Sequence, residues 1–144
     1  DMTPPPELLY LIREFEGLRL RPYLCPAGVP TVGYGHTGPE VRMGGPRITR
    51  ELAEIFLRED ASRAVQQAIK LSPVCALYPG ALSAVADFIY NLGATRYKAS
   101  TLRRRVNMGD WEEAGVEIMR WVWGGGQKLP GLLRRRERER LLLP

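Results

Sequence analysis

The chain has 144 residues, 44% of them hydrophobic, which is enough for one domain with an apolar core. No stretch reaches the roughly 18 consecutive apolar residues of a membrane span, and Cys25 and Cys75 are too few for a disulfide scaffold and too dispersed for a zinc cluster. The formal net charge of +5 is uneven, with nine basic and nine acidic groups in residues 1–72 and twelve and seven in residues 73–144. The positive field of the second half favours polyanions but does not choose among nucleic acid, anionic lipid and envelope polymers.

The opening Asp1-Met2-Thr3-Pro4 is not a standard start, so an upstream segment for export or anchoring is left open. Thr3 is placed to cap a first helix with Pro4 in its first turn, and Leu8, Leu11, Ile12 and Phe15 then recur at helical spacing until Gly17 stops it. Glu16 therefore falls at a helix end. Short runs at Arg19–Tyr23 and Thr31–Tyr34, broken by Pro22, Pro26, Gly28, Pro30, Gly33, Gly35 and Gly38, read as a small antiparallel sheet with tight turns.

Thr49 is a natural cap for a long helix that places Leu52, Ile55, Phe56, Ala64, Val65, Ala68 and Ile69 on one face as far as Leu71. After a loop with Pro73 and Pro79, helices are expected over 80–92, 101–108, 110–122 and 132–142, with Gly93, Gly109, the Gly124-Gly125-Gly126 run and Gly131 as punctuation. The sum is an α+β chain forming a single domain over 1–144: a sheet lobe over about 17–48, a connecting helix over about 49–71 and a mainly helical lobe over about 72–144. Trp111, Trp121 and Trp123 fit helical core spacing better than a sugar-stacking platform. The arginine-rich end, Arg134 to Arg140 with Glu137 and Glu139, reads as a solvated helix laced by i,i+3 and i,i+4 pairs, or as a grip on anionic polymer.

The densest group of chemically capable residues is Glu16-Gly17-Leu18-Arg19-Leu20, Tyr23, Cys25, Gly28 and Thr31-Val32-Gly33-Tyr34-Gly35-His36-Thr37. It resembles the signature of the phage-type lysozymes of glycoside hydrolase family 24, a Glu, then an Asp or Cys nine positions on, then a Thr six further; Glu16, Cys25 and Thr31 stand at those positions. The resemblance extends over Ile48-Thr49, Asp60, Tyr90-Asn91-Leu92-Gly93, Gly109 to Ala114, and Leu129-Pro130-Gly131-Leu132 with the arginines that follow. It implies a lysozyme-like fold and an endolysin that cleaves the β-1,4 bond between N-acetylmuramic acid and N-acetylglucosamine in bacterial peptidoglycan. It also implies a monomer made in the host cytoplasm and acting in the periplasm, touching membrane only through an N-terminal segment outside these residues.

Cleaving a glycosidic bond needs an acid for the leaving oxygen and a group that supplies attack at the anomeric carbon. Glu16 suits the acid, since Phe15, Leu18 and Leu20 offer the apolar surroundings that help a carboxyl keep its proton. Thr31 has a hydroxyl that donates and accepts, apt for positioning water. Cys25 takes the rarer family option, because Asp is commoner there, and a thiolate serves as a base or as a nucleophile. The substitution leaves inversion or retention at the anomeric carbon open. The resemblance also implies a thiol lock on Cys25, with an upstream cysteine favoured over Cys75 as the bridging partner.

By the same resemblance Thr37, Tyr90, Ser100 and Thr101 contact substrate, the Asn91-Leu92-Gly93 turn shapes the cleft floor, and one of the first C-terminal arginines approaches Glu16. His36, the one histidine, has no histidine partner for a metal, and it is expected to brace the site by pairing with Asp60. No metal or other cofactor is expected. Three rivals stand beside this reading. They are a non-catalytic peptidoglycan-binding homologue, favoured only by Cys for Asp; a nucleic-acid binder using Arg103–Arg105 and Arg134–Arg140, which lacks a recognition motif; and a cysteine hydrolase built on Cys25 and His36, which leaves Glu16 and Thr31 unexplained.

Overall fold

The structure, a computed structural model, describes residues 3–144. Helix α1 spans Pro6–Glu16 and buries Leu8, Leu9, Leu11 and Ile12. Its N-cap is Pro5, which makes no side-chain cap hydrogen bond, so the helix begins later than a Thr3 cap would place it. A proline at the first turn costs nothing there, because its missing N–H would have had no helical partner. Strand β1 (Arg19–Leu24) pairs antiparallel with β2 (Pro30–Gly33), with Tyr23 opposite Thr31 and Leu24 opposite Pro30. A turn over residues 25–28, closed by the Gly28 N–H donating to the Cys25 carbonyl at 2.8 Å, joins them.

Helix α2 (Arg50–Leu71) starts at Thr49, whose side chain accepts from the Leu52 N–H. Its buried face is Ala53, Leu57, Ala61, Ala64, Val65 and Ala68, whereas Ile55 is 54% exposed, which corrects the face read from periodicity. The small alanines let α3 (Pro79–Leu92) approach closely, and these two helices form the most extensive packed pair in the chain. A short 3-10 turn, Pro73–Leu77, connects them and buries Cys75.

Short helices α4 (Ala94–Lys98), α5 (Thr101–Asn107) and α6 (Trp111–Ile118) follow. The helix expected over 110–122 thus stops at Ile118. Beyond it lies a hairpin of β3 (Trp123–Gly124) and β4 (Gln127–Lys128), whose two loop residues Gly125 and Gly126 both have positive φ. That backbone suits a two-residue hairpin and is open to glycine at little cost. Trp123 consequently sits on the hairpin at 59% exposure and not in the core, while Trp111 and Trp121 pack edge-on against Tyr78 and Phe88.

Helix α7 (Pro130–Leu142) packs along α3 and reaches back to α1. Arg135, Arg136 and Glu139 on it are buried, which corrects the reading of this run as a wholly solvated face. No described helix is long and apolar enough to cross a membrane.

Candidate active site

Glu16 is the last residue of α1, where Gly17 at φ 71° turns the chain toward β1. Its side chain is 21% exposed, and Oε2 accepts from Arg135 Nη1 at 2.6 Å. Arg135 is in turn fixed by Asp87 on α3, which accepts from Nε and Nη2 at 2.8 Å each. Asp87 is wholly buried, and the guanidinium holds its carboxyl below the usual range despite burial, which acts the other way. A planar fork that meets one carboxylate with two N–H groups and another with its third nitrogen leaves little rotational freedom. Glu16 is therefore presented by three elements, α1, α7 and α3.

The other wall comes from the sheet. A Cβ on Gly35 would stand 2.7 Å from Glu16 Oε1, so the backbone passes against the carboxyl at a place where only glycine fits, and φ is 79° there. Gly35 also lines a cavity of about 390 Å³, together with Thr37, Asp60, Arg63, Gln67 and Tyr90 among others. A second, of about 790 Å³, is lined by Phe15, Glu16, Pro26, Asn91, Leu132 and Arg135 with neighbours. Glu16 thus lines one open cavity, and Gly35, which stands against its carboxyl, lines the other.

Cys25 follows β1 at the turn, partly exposed and free of any disulfide. The Val29 N–H stabilises its thiolate most, with the Ala27 N–H and the Thr31 hydroxyl adding to it, and together they hold the thiol below its ordinary pKa against the opposing effect of burial. Thr31 is 3% exposed and its Oγ1 donates to the Val29 carbonyl at 2.8 Å. The single hydroxyl proton serves either Val29 or a thiolate at Cys25, and rotation about one bond switches between them. Burial raises the Tyr23 phenol most, and negative charge on Glu16 and Cys25 acts on it further, so both groups lie within electrostatic reach of one side chain. Cys75 is wholly buried in the apolar cluster of the helices, and burial pushes its thiol up to about 12, which leaves it inert.

His36 stacks on Phe56 with ring centroids 4.0 Å apart. Its Nδ1 lies 2.7 Å from Asp60 Oδ2 and its Nε2 2.6 Å from Glu40 Oε1. Both ring nitrogens therefore face a carboxyl oxygen at hydrogen-bonding distance. The two acids shift oppositely. Burial raises Asp60 beyond what His36 and Arg63 take back, whereas exposed Glu40 is lowered chiefly by its hydrogen bond with His36. The trio ties β2 and its following loop to α2.

Tyr90 lines the smaller cavity and donates its hydroxyl to the Tyr34 carbonyl; Thr37 is exposed on the same wall. Ser100 and Thr101 line neither cavity. Ser100 accepts from the Arg103 N–H as the cap of α5 and donates to the Tyr97 carbonyl, and Thr101 accepts from Arg104. The sequence reading missed Asp87, named Gly35 as a turn residue within the motif but not for its contact with Glu16, and did not single out Arg135. Among the described residues no cluster of His, Cys, Asp and Glu could hold a metal ion.

Residues 13–139 match the family model described as phage lysozyme. The chain is 40% identical over 138 residues to an endolysin of Acyrthosiphon pisum secondary endosymbiont phage 1, covering 93% of this chain and 92% of that protein. It is 38% identical over 124 residues to the SAR-endolysin of Escherichia phage Mu, covering 86% and 71%. Among solved structures, the muramidase domain of SpmX from Asticaccaulis excentricus superposes with a TM-score of 0.83 at 33% identity over 96% of this chain and 95% of that one. A P22 lysozyme variant gives a TM-score of 0.83 at 30% identity over 99% and 98%. With the matched segment running from α1 through Glu16, the sheet and α2 to the buried arginines of α7, the chain belongs to the phage lysozyme family, and it is a glycosidase of the lysozyme type.

Proposed function

We propose that this chain is the catalytic domain, residues 1–144, of a phage or prophage endolysin that hydrolyses the bond from N-acetylmuramic acid C1 to the O4 of N-acetylglucosamine. Made in the host cytoplasm, it acts in the periplasm as a monomer on peptidoglycan. The observation that carries this is the placement of Glu16, its Oε2 taken by Arg135, its Oε1 beside Gly35 and its side chain lining an open cavity. In the reaction Oε1 gives its proton to the glycosidic oxygen as the C1–O bond breaks. The oxygen of water bonds to C1, and its proton passes to the Cys25 thiolate, with Thr31 orienting the water. Solvent then returns a proton to Glu16 and takes one from Cys25. Direct attack by the sulfur would instead give a covalent intermediate, and the anomeric configuration of the first product separates the two routes.

Thr37 and Tyr90 are proposed to meet the sugar in the smaller cavity, with His36 and Asp60 supporting the wall. Ser100 and Thr101 are left to their part in starting α5. The purified chain is expected to clear a suspension of chloroform-treated Gram-negative cells within minutes. Binding to sacculi without clearing would mark it as a non-catalytic homologue.

A further inference from the structure

Behind Glu16 lies a polar cluster that the reaction as described does not use. Arg136 and Glu139 on α7 are wholly buried, as is Asp87 on α3. Arg136 Nη2 donates to Glu139 Oε2 at 2.9 Å and to Asn91 Oδ1 at 2.8 Å, and its guanidinium carbon sits 5.1 Å from the centre of the Phe88 ring. Arg136 Nε is 2.7 Å from Glu139 Oε1, yet the two are not aligned as a hydrogen bond and neither atom has another partner. Glu139 also lies within hydrogen-bonding reach of Asp87.

The wholly buried carboxyls Asp87 and Glu139 thus meet each other between two guanidiniums, Arg135 and Arg136. Two carboxyls within hydrogen-bonding reach repel when both are ionised, so one of this pair keeps a proton. Asp87 is gripped by both arms of Arg135 and stays ionised. Glu139 is fully buried, faces Asp87, and has an oxygen that accepts nothing. The charged groups that act on it are Asp87 from α3 and Arg135 and Arg136 from its own helix. From α1 the charged group that meets the cluster is Glu16, through Arg135, and α6 meets α7 with Gly115 against Arg140. Burial and Asp87 together hold the Glu139 carboxyl well above the usual range, more than the two arginines lower it.

We infer that Glu139 is a positioning residue for the reaction: its protonated carboxyl donates to Asp87, which locks Arg135 onto Glu16. A proton here gives Asp87 a third hydrogen bond without a second negative charge to compete for Arg135. The inference rests on the proposed acid role of Glu16, but its protonation arm is read without any activity.

The test compares the parent with Glu139→Gln and Glu139→Leu. Glutamine copies the neutral acid, with N–H for Asp87 and C=O for Arg136, so it is expected to keep kcat within about threefold of the parent. Leucine cannot donate, and kcat should drop at least tenfold with KM unchanged. The infrared carbonyl band of protonated carboxyls at pH 7 should lose a component in Glu139→Gln that is still present in Glu16→Gln. A raised folded-state pKa gives stability that is full below the unfolded value of about 4.3 and is lost as pH rises toward the folded one. The Tm of Glu139→Gln should therefore gain on the parent between pH 5 and 8. A tenfold loss of kcat in Glu139→Gln, full kcat in folded Glu139→Leu, or no such component at pH 7 each overturns the inference. If the parent itself does not cleave peptidoglycan, the proposed function fails while the infrared and Tm results still decide the state of Glu139.

Discussion

Glu16→Gln is expected to lose lysis by about two to four orders of magnitude, the range general acid–base help supplies, while its Tm stays near the parent value. The amide keeps the shape of the side chain and can turn its oxygen to Arg135 Nη1, but it has no proton to give. Arg135 is not left as an uncompensated buried cation, because both of its contacts with Asp87 at 2.8 Å remain. That is why the change should separate activity from stability. Retention of more than a tenth of parental activity by a folded Glu16→Gln would remove Glu16 from the acid role.

The second large effect is expected at Cys25. Its thiol is partly exposed, held below its ordinary pKa by backbone N–H groups, and close to Thr31. A thiol alkylator should therefore inactivate the enzyme, and Cys25→Ser should do so too, since a hydroxyl is far less acidic than a thiol. Cys25→Asp restores an ionised oxygen at the same turn and should stay active and insensitive to alkylation. Cys75→Ser should lyse and respond to alkylation as the parent does, because Cys75 is buried among apolar side chains away from the sheet. Cys75 is wholly buried in the helical core while Cys25 stands at the turn of the sheet, so reductant should not alter the activity of the chain by itself. Full activity in Cys25→Ser would exclude any catalytic part for the sulfur.

The α+β frame was legible where local chemistry is strong. Thr49 announces α2 because its hydroxyl can serve the first free N–H, and the glycine and proline run after Glu16 permits little but a tight hairpin. Other features depend on packing that no local pattern carries. Ile55 has helical spacing and still faces solvent, since the stretch that meets α3 is built from alanines, which periodicity weighs lightly. Helix α4 lies between Gly93 and the Ser100 cap and is too short to show a period. The run Gly124-Gly125-Gly126 marks a break in the helical pattern, and two loop glycines between Trp123 and Lys128 are also a hairpin signal.

For the site, a motif can place Glu16, Cys25 and Thr31 along the chain, but not their surroundings. The arginines of residues 134–140 look alike in sequence. Which of them turns inward depends on the phase of α7 against α3, and that phase buries Arg135, Arg136 and Glu139 together. Asp87 had no signal of its own, being one carboxyl within an apolar helix. Its burial is tolerable only because Arg135 meets it from another element. Gly35 matters for the space its missing side chain leaves to Glu16, which only coordinates reveal.

The central claim, that this site hydrolyses the glycan and does so from muramic acid, is tested most directly by mass spectrometry of purified peptidoglycan digested with the chain. The account predicts muropeptides that end in reducing N-acetylmuramic acid, each carrying the mass of one added water. Ends in anhydromuramic acid, or cleavage confined to the peptide branches, would contradict it.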